Sequence, residues 1–408
     1  GPKSDQCTLI LCEGDSAKAG IVSGLTKEDR NFIGVFPLKG KLVNTRDIHQ
    51  SKINNNQEIT NIKKIVGLVT NKKYEDPKIV KKSLRYGKIL IMTDQDLDGS
   101  HIKGLCVNMF HSQWHDLIKL NDFLGFMNTP IIKATKGKTE KSFYDESAYH
   151  KWKEAHNNGK GWRIKYYKGL GTSTSKEFKE YFAHKKIVTF KYSSACDGAI
   201  DKVFNKSRAD DRKEWLEEYD KDKRLNYSKK HIGYNEFIDN EMIHFSKYDC
   251  ERSIPNMVDG LKTSTRKILY SAIKRNLVKE IKVAQFSGYV SEHSCYHHGE
   301  MSLNKAIIGM AQEFIGSNNI NMLMPNGQFG TRLEGGSDHA SPRYIFTALN
   351  KLTSSIFRSE DNPVLNYLDD DGTNVEPDFY VPIIPMVLVN GGKGIGTGFS
   401  YEGLSYNP

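Results

Sequence analysis

Apolar residues along the chain fall into short blocks separated by polar, glycine-bearing turns. The run Ile89-Leu90-Ile91-Met92 lies between Lys88 and the acidic stretch Asp94-Gln95-Asp96-Leu97-Asp98. It predicts a buried strand of a parallel sheet with carboxylates at its C-terminal end. Thr8-Leu9-Ile10-Leu11-Cys12 predicts a second such strand, delivering Glu13-Gly14-Asp15-Ser16-Ala17 into a helix that starts near Ser16. Strand, acidic turn and helix make one βα unit. Between 101 and 120, Ile102, Leu105, Cys106, Met109, Phe110, Trp114 and Leu117 recur at helical spacing and predict a helix packed on that sheet. Trp162-Arg163-Ile164-Lys165-Tyr166-Tyr167-Lys168 reads as a basic, aromatic strand, which Gly169-Leu170-Gly171-Thr172-Ser173 joins to a helix near Ser175.

The pattern changes twice more. Residues 197–234 are dense in Lys, Arg, Asp and Glu and read as charged helices bridging two domains. From about Tyr234 a helix through Phe245, a basic amphipathic helix holding Arg266, Lys267, Lys274 and Arg275, and helical stretches at 283–290 and 301–314 predict a helix-turn-helix unit of the kind that sits on DNA. Residues 380–390 are apolar and β-prone. The fold class is therefore a multidomain chain, α/β first and α+β after it.

Composition narrows the partners. The chain has 408 residues, enough for two or more domains, with ordinary hydrophobic content at 38% and a net charge of +10. Nucleic acid is the first partner such an excess suggests, against a bland reading of solvated basic faces. The six cysteines include no Cys-x-x-Cys pair, which argues against a structural zinc site and a disulfide scaffold. No run reaches transmembrane length and no secretory signal is present, so no membrane partner is expected. Gly1-Pro2 resembles a protease scar, and the stop at Asn407-Pro408 reads as the end of an excised fragment.

The candidate chemistry starts at Asp94, Asp96 and Asp98, which alternate, so at least two project together and need a cation, magnesium being the best fit. An EF-hand is excluded, because its twelfth position, counted from Asp94, is Leu105 where a bidentate Glu is required. Glu13, at the end of a strand in the same sheet, completes a carboxylate set or serves as a helix N-terminal charge. Lys39 and Lys41 flank Gly40 either as a phosphate contact or as a plain basic turn. The glycines and hydroxyls of 169–173 form either a phosphate-contacting turn or a capped strand-to-helix connection.

In the second unit, Tyr344 is singled out by the adjacent Arg343, whose permanent charge suits a phosphodiester and favours a phenolate. His293, Cys295, His297 and His298 crowd one segment without a distant ligand pair, so a phosphate donor or proton shuttle fits better than zinc. Gly391-Gly392-Lys393-Gly394-Ile395-Gly396-Thr397-Gly398 lacks the spacing of a Walker A loop. Ile395 reads either as a wedge between base steps or as a buried turn residue.

These motifs, in order, resemble one family. Glu13-Gly14-Asp15-Ser16-Ala17, Pro37-Leu38-Lys39-Gly40-Lys41, Asp94-Gln95-Asp96-Leu97-Asp98-Gly99-Ser100-His101-Ile102, Tyr167-Lys168-Gly169-Leu170-Gly171-Thr172-Ser173, Tyr296-His297-His298-Gly299-Glu300 and Pro342-Arg343-Tyr344 look like the DNA-binding and cleavage core of a eukaryotic-type DNA topoisomerase II, a type IIA group that includes enzymes of large DNA viruses. The resemblance implies a Rossmann-like, metal-binding Toprim domain over 3–150, a charged helical connector over 151–234, a winged-helix domain over 235–352 and the start of an α/β tower domain over 353–408. It implies that Tyr344 attacks a DNA phosphodiester and stays linked to the 5′-phosphate, an ATP-coupled isomerase reaction in the full-length enzyme. It also implies that Glu13, Asp94, Asp96 and Asp98 hold Mg2+, two ions per site, and that Arg343, Arg252, Lys262 and His298 surround the phosphate. Lys39 and Lys41 would touch DNA, and Ile395 would intercalate.

Further expectations follow from the same resemblance. The partners are duplex DNA and a second copy of the chain, with Tyr344 of one protomer beside the metal site of the other. The ATP-binding domain would lie ahead of residue 3, and the remaining tower with a C-terminal dimer gate beyond Pro408. The fragment is therefore expected to bind DNA, dimerise weakly and lack ATP-driven strand passage. Location would be the nucleus for a cellular source, and host cytoplasm or viral factory for a viral one. A Toprim-type nuclease or primase-like enzyme would use the same carboxylates without a tyrosine, and a DNA-binding scaffold would use neither.

Overall fold

The computed structural model describes residues 2–370 and 372–408. They form two compact units, Gly1–Lys247 and Tyr248–Pro408, and each is taken by itself.

The first unit is built on a six-stranded sheet. Its strands, numbered in chain order, are β1 (Thr8–Glu13), β2 (Ile33–Leu38), β3 (Lys88–Met92), β4 (Leu124–Met127), β5 (Ile187–Lys191) and β6 (His231–Gly233), in spatial order β2-β1-β3-β4-β5-β6. β1 pairs in parallel with both β2 and β3, with Cys12 opposite Met92. The chain therefore steps from β1 to one side and returns on the other, which makes the β1/β3 edge a topological switch point. Open α/β sheets place their ligands in that crevice, outside the carboxyl ends of the strands. Glu13 and Asp94 leave the sheet there.

Both faces of the sheet are covered, as strands apolar on both sides require. Helices α1 (Gly14–Gly24) and α3 (Ser175–His184) cover one face, where Ile10, Leu90 and Met92 pack on Ile21 and Phe178. Helix α2 (Leu97–Gln113) is buried along most of its length. Lys103 on α2 is 3% exposed and pairs with Glu241, 5% exposed, on the π-helical turn Ile238–Met242. The Ser100 and Tyr227 hydroxyls donate to the same carboxylate at 2.8 and 3.0 Å. Removing one partner of such a pair strands a buried charge, so Glu241→Ala is expected to cost about 3–5 kcal/mol in urea unfolding. The double change Lys103→Met with Glu241→Leu should recover most of that loss.

Where charged bridging helices are expected between 197 and 234, the described chain has helices Ser194–Phe204 and Ala209–Glu217 and also β6; β5 precedes them. Val188, Phe190 and Ile232 are buried, but each strand is short and set among charged residues, so its apolar alternation is masked. A separate three-stranded sheet, Ile132–Lys136 with Thr139–Phe143 and Arg163–Tyr166, stands on the helix Glu146–Ala155.

In the second unit α4 (Thr263–Lys274), α5 (Val283–His293) and α6 (Glu300–Ala311) pack around Leu269, Phe286 and Ile307, and Ile281–Lys282 pairs antiparallel with Phe346–Thr347. The basic helix predicted here is less basic outside than its sequence suggests. Arg266 is 6% exposed and makes a bidentate pair with buried Asp259 at 2.7 and 3.0 Å, while Lys267 pairs with Glu376 at 2.8 Å. Charge is visible in sequence, but a partner distant along the chain is not. The β-prone stretch 380–390 forms no strand and contains the short helix Met386–Val389. Pro382 and Pro385 remove backbone N–H groups that a sheet ladder needs.

Candidate DNA-cleavage site

The carboxylates gather at the switch point. Glu13 ends β1, and its Oε2 accepts the Asp94 N–H at 3.2 Å. Asp94 follows β3, and its Oδ1 accepts the Leu170 N–H at 2.7 Å. Asp96 is the N-cap of α2, its Oδ1 taking the Gly99 N–H at 2.6 Å. Asp98 sits in the first turn of α2, where negative charge is favoured, and pairs with Lys41 Nζ at 2.6 Å. Burial, with the charges of Asp94, Asp96 and Asp98 adding to it, pushes the Glu13 carboxyl up to about 7. Burial raises Asp94 too, with Asp96 adding and the Leu170 N–H opposing. Carboxylates that raise one another this way are relieved by a hard divalent cation with oxygen ligands, so the donor set fits Mg2+.

The turn at 169–173 has a different task from a phosphate contact. Its Leu170 N–H is spent on Asp94, and a Cβ on Gly169 would lie 2.5 Å from Asp94 Oδ2. Only hydrogen at that position lets the turn close on the carboxylate. The sequence shows a donor-rich glycine turn but not its acceptor, because nothing local links 94 to 169. Of the two lysines around Gly40, Lys41 lies over the Phe245 ring at 4.8 Å as well as on Asp98, whereas Lys39 is exposed and its N–H meets Glu58 Oε2 at 3.3 Å.

The tyrosine half of the candidate site belongs to the second unit. Pro342 and Ile345 carbonyls accept the Ala284 and Val283 N–H groups at 3.0 Å each, satisfying donors that the first turn of α5 leaves open. Ile345 is 2% exposed in the core while Tyr344 is 71% exposed. The backbone is thus pinned and the phenol is presented outward. The Arg343 guanidinium lies 5.8 Å from the Tyr344 ring centroid.

His297 and His298 have different surroundings. Exposed His297 meets Asp370 at 3.0 Å, whereas half-buried His298 meets the Tyr248 hydroxyl through Nε2 at 3.2 Å. The ring of Tyr248 also carries the Arg252 guanidinium at 5.0 Å. Sequence does not single out Tyr248; only its spacing of four from Arg252 on a helix could have pointed to it. Lys262 is the N-cap of α4, at the end of a loop that Asp259 holds by accepting from Leu261 and Tyr380 N–H groups as well as from Arg266. Ile395 is 80% exposed on the hairpin Gly392–Ile395 with Ser400–Gly403, which removes the buried-turn reading. A Cβ on Gly394 would lie 2.2 Å from the Ser253 carbonyl oxygen, so that glycine serves close packing of the hairpin.

One other donor set converges among the described residues: His111, His115 and Asp197. Both imidazole Nε2 atoms meet Asp197 Oδ1, at 2.9 and 2.7 Å, and the Tyr192 hydroxyl donates to Oδ2 at 2.6 Å. Arg46 donates to His111 Nδ1 at 2.5 Å, which leaves Nε2 protonated and turned to Asp197. That is a hydrogen-bond network, in which a metal at Nε2 would force an N–H against the guanidinium.

Burial, with Arg46 and His115 adding, lowers His111 to about 4. Between the unfolded value of about 6.5 and that folded value the unfolded chain binds more protons. The stability from neutral His111 is therefore fully present above pH 6.5 and lost as pH falls towards 4. Glu13 titrates nearby with the opposite sign, so the test compares the chain with His111→Gln. The stability difference between the two in urea unfolding is expected to shrink by about 2 kcal/mol from pH 7 to pH 5.

Comparison with known proteins places this geometry. Three family models cover the chain in order: Toprim domain over 8–123, C-terminal associated domain of TOPRIM over 127–250, and DNA gyrase/topoisomerase IV over 252–408. The chain is 53% identical to DNA topoisomerase 2-beta of Gallus gallus, over 100% of this chain and 26% of that protein. It is 53% identical to DNA topoisomerase 2-alpha of Homo sapiens, over 98% of this chain and 27% of that protein. It spans about a quarter of the length of these curated relatives. A crystal structure of the Plasmodium falciparum topoisomerase II DNA-binding, cleavage and re-ligation domain matches with a TM-score of 0.85 and 51% identity, over 99% of this chain and 55% of that one.

Proposed function

Because the chain belongs to the DNA topoisomerase 2 family, as the part of it that corresponds to the central DNA-binding and cleavage core, we propose that it breaks duplex DNA by transferring a phosphodiester onto Tyr344. The observation that carries this reading is Tyr344 itself. Its phenol is 71% exposed on a segment pinned to the start of α5, with a guanidinium at its ring. A structural tyrosine buries its ring.

In the proposed step the Tyr344 Oη–phosphorus bond forms as the bond from phosphorus to the 3′-oxygen breaks. The phenol gives up its proton to solvent and the departing 3′-oxygen takes one up, so the step is balanced. A phosphotyrosyl ester replaces a phosphodiester of similar energy, and rejoining runs back along the same path without another energy source. Arg343, Arg252, Lys262 and His298 supply N–H donors for the non-bridging oxygens. Glu13, Asp94, Asp96 and Asp98 would hold Mg2+, two ions per site. When bound, Mg2+ supplies stabilisation of the negative charge on the 3′-oxygen. Lys39 and Lys41 serve as DNA contacts, and Ile395 is the wedge that bends the duplex, its deformation cost offset by wider contact.

For the whole protein we propose a homodimer in the nucleus that passes one duplex through another with ATP, Tyr344 of each protomer working at its partner's metal site. End-labelled duplex tests the reading for this chain. Label at the 3′ end lies on the segment whose 5′-phosphate is attacked. It should enter the protein band under denaturing conditions and return to DNA when religation is allowed. Breaks with free 5′-phosphates would instead identify a nuclease, and intact DNA a scaffold.

A further inference from the structure

We propose that Tyr248 is a positioning residue for cleavage, its hydroxyl orienting His298 and its ring orienting Arg252 so that both present donors to one phosphate. This rests on the reading above, in which His298 and Arg252 contact the scissile phosphate.

Tyr248 and Arg252 are four residues apart on the helix Ile243–Ser253, a spacing that brings side chains together on one helix face. The guanidinium lies 5.0 Å from the ring centroid, within cation–π range. Asp249, on the adjoining turn, is 3.7 Å from the same guanidinium. Ring and carboxylate hold a flexible side chain from two directions, which limits its rotamers before DNA arrives.

His298 lies in the loop between α5 and α6, where Cys295 adopts a positive φ of 50°. A loop histidine needs outside support to keep one ring orientation. Buried Tyr296 meets its ring edge-on at 5.4 Å, and the Tyr248 hydroxyl meets Nε2 at 3.2 Å. A hydroxyl both donates and accepts, so it holds the imidazole in its neutral and its protonated form. One side chain from the helix therefore sets two groups that come from different elements. The same helix turn receives the hairpin that carries Ile395: Thr397 Oγ1 meets Asp249 Oδ2 at 3.2 Å and Cys250 Sγ meets the Thr397 carbonyl at 3.3 Å.

Phenylalanine separates the two tasks, since it keeps the ring under Arg252 and removes the hydroxyl from His298. In single-turnover adduct formation, Tyr248→Phe is expected to be about tenfold slower with DNA affinity unchanged, and Tyr248→Leu about a hundredfold slower. Tyr248→Phe combined with His298→Ala should be no slower than His298→Ala alone, because the hydroxyl acts only through that ring. The nitrogen resonances of His298 in labelled protein should also shift in Tyr248→Phe, a readout that does not depend on cleavage. Unmoved resonances, a rate for Tyr248→Phe within twofold of the parent, or multiplicative losses in the double variant would each overturn the proposal. If Tyr248→Phe is normal while His298→Ala is slow, only the role of Tyr248 fails; if His298→Ala is normal, the assignment of His298 fails and takes this proposal with it.

Discussion

Tyr344→Phe should bind duplex DNA as the parent does and form no covalent adduct. Phenylalanine keeps the ring beside Arg343, so the guanidinium retains its neighbour and the positive surface is unchanged. Only Oη is lost, and with it the atom that would bond to phosphorus. The side chain is 71% exposed, so stability should move by no more than about 0.5 kcal/mol. Adduct yield should fall at least ~10³-fold, to assay background, because no neighbouring hydroxyl is held in its place. A denaturing gel of labelled DNA, run beside a binding titration, reads both quantities. Residual adduct within tenfold of the parent would mean that another nucleophile does the work.

Gly169→Ala should be nearly as damaging to cleavage, although residue 169 is far along the chain from Asp94 and carries no functional group. The added Cβ would lie 2.5 Å from Asp94 Oδ2, 2.8 Å from its Cγ and 3.0 Å from Oδ1. Either Asp94 rotates out of the cluster or the turn retreats, taking the Leu170 N–H from Oδ1. Displacement of about 1 Å at a reacting centre costs on the order of 10²-fold in rate. Cleavage at fixed Mg2+ should drop by that factor while DNA binding holds. Excess Mg2+ should restore part of it, since the remaining carboxylates are untouched. Near-normal cleavage would show that the closeness of turn and carboxylate has no bearing on the chemistry.

What the sequence discloses and what it conceals follow a physical division. Asp94, Asp96 and Asp98 are legible because an apolar strand and an acidic turn are contiguous, and β3 and α2 appear where that pattern puts them. The same holds for β1 and Glu13. Their meeting depends on pairing between strands distant in sequence, which local pattern suggests but does not determine. The hold of Leu170 on Asp94 and of Tyr248 on His298 is concealed, because each joins distant segments through a single hydrogen bond. Arg266 and Lys267 mislead for the opposite reason. They look like a DNA-facing stripe until Asp259 and Glu376 turn them inward. For Ile395 the sequence leaves wedge and core both open, and only its exposure at the end of a hairpin decides between them.

Transfer of a DNA phosphate to Tyr344 is tested most directly by trapping and mapping the bond. A duplex whose scissile 3′-oxygen is replaced by sulfur releases a thiolate that leaves readily and rejoins poorly, so the covalent product accumulates. The chain would be incubated with this duplex and Mg2+, digested, and analysed by mass spectrometry. Covalent catalysis at this site predicts a nucleotide attached through its 5′-phosphate to the peptide containing Arg343-Tyr344, absent when Mg2+ is chelated. Cleaved duplex with free 5′-phosphates and an unmodified Tyr344 peptide would contradict it.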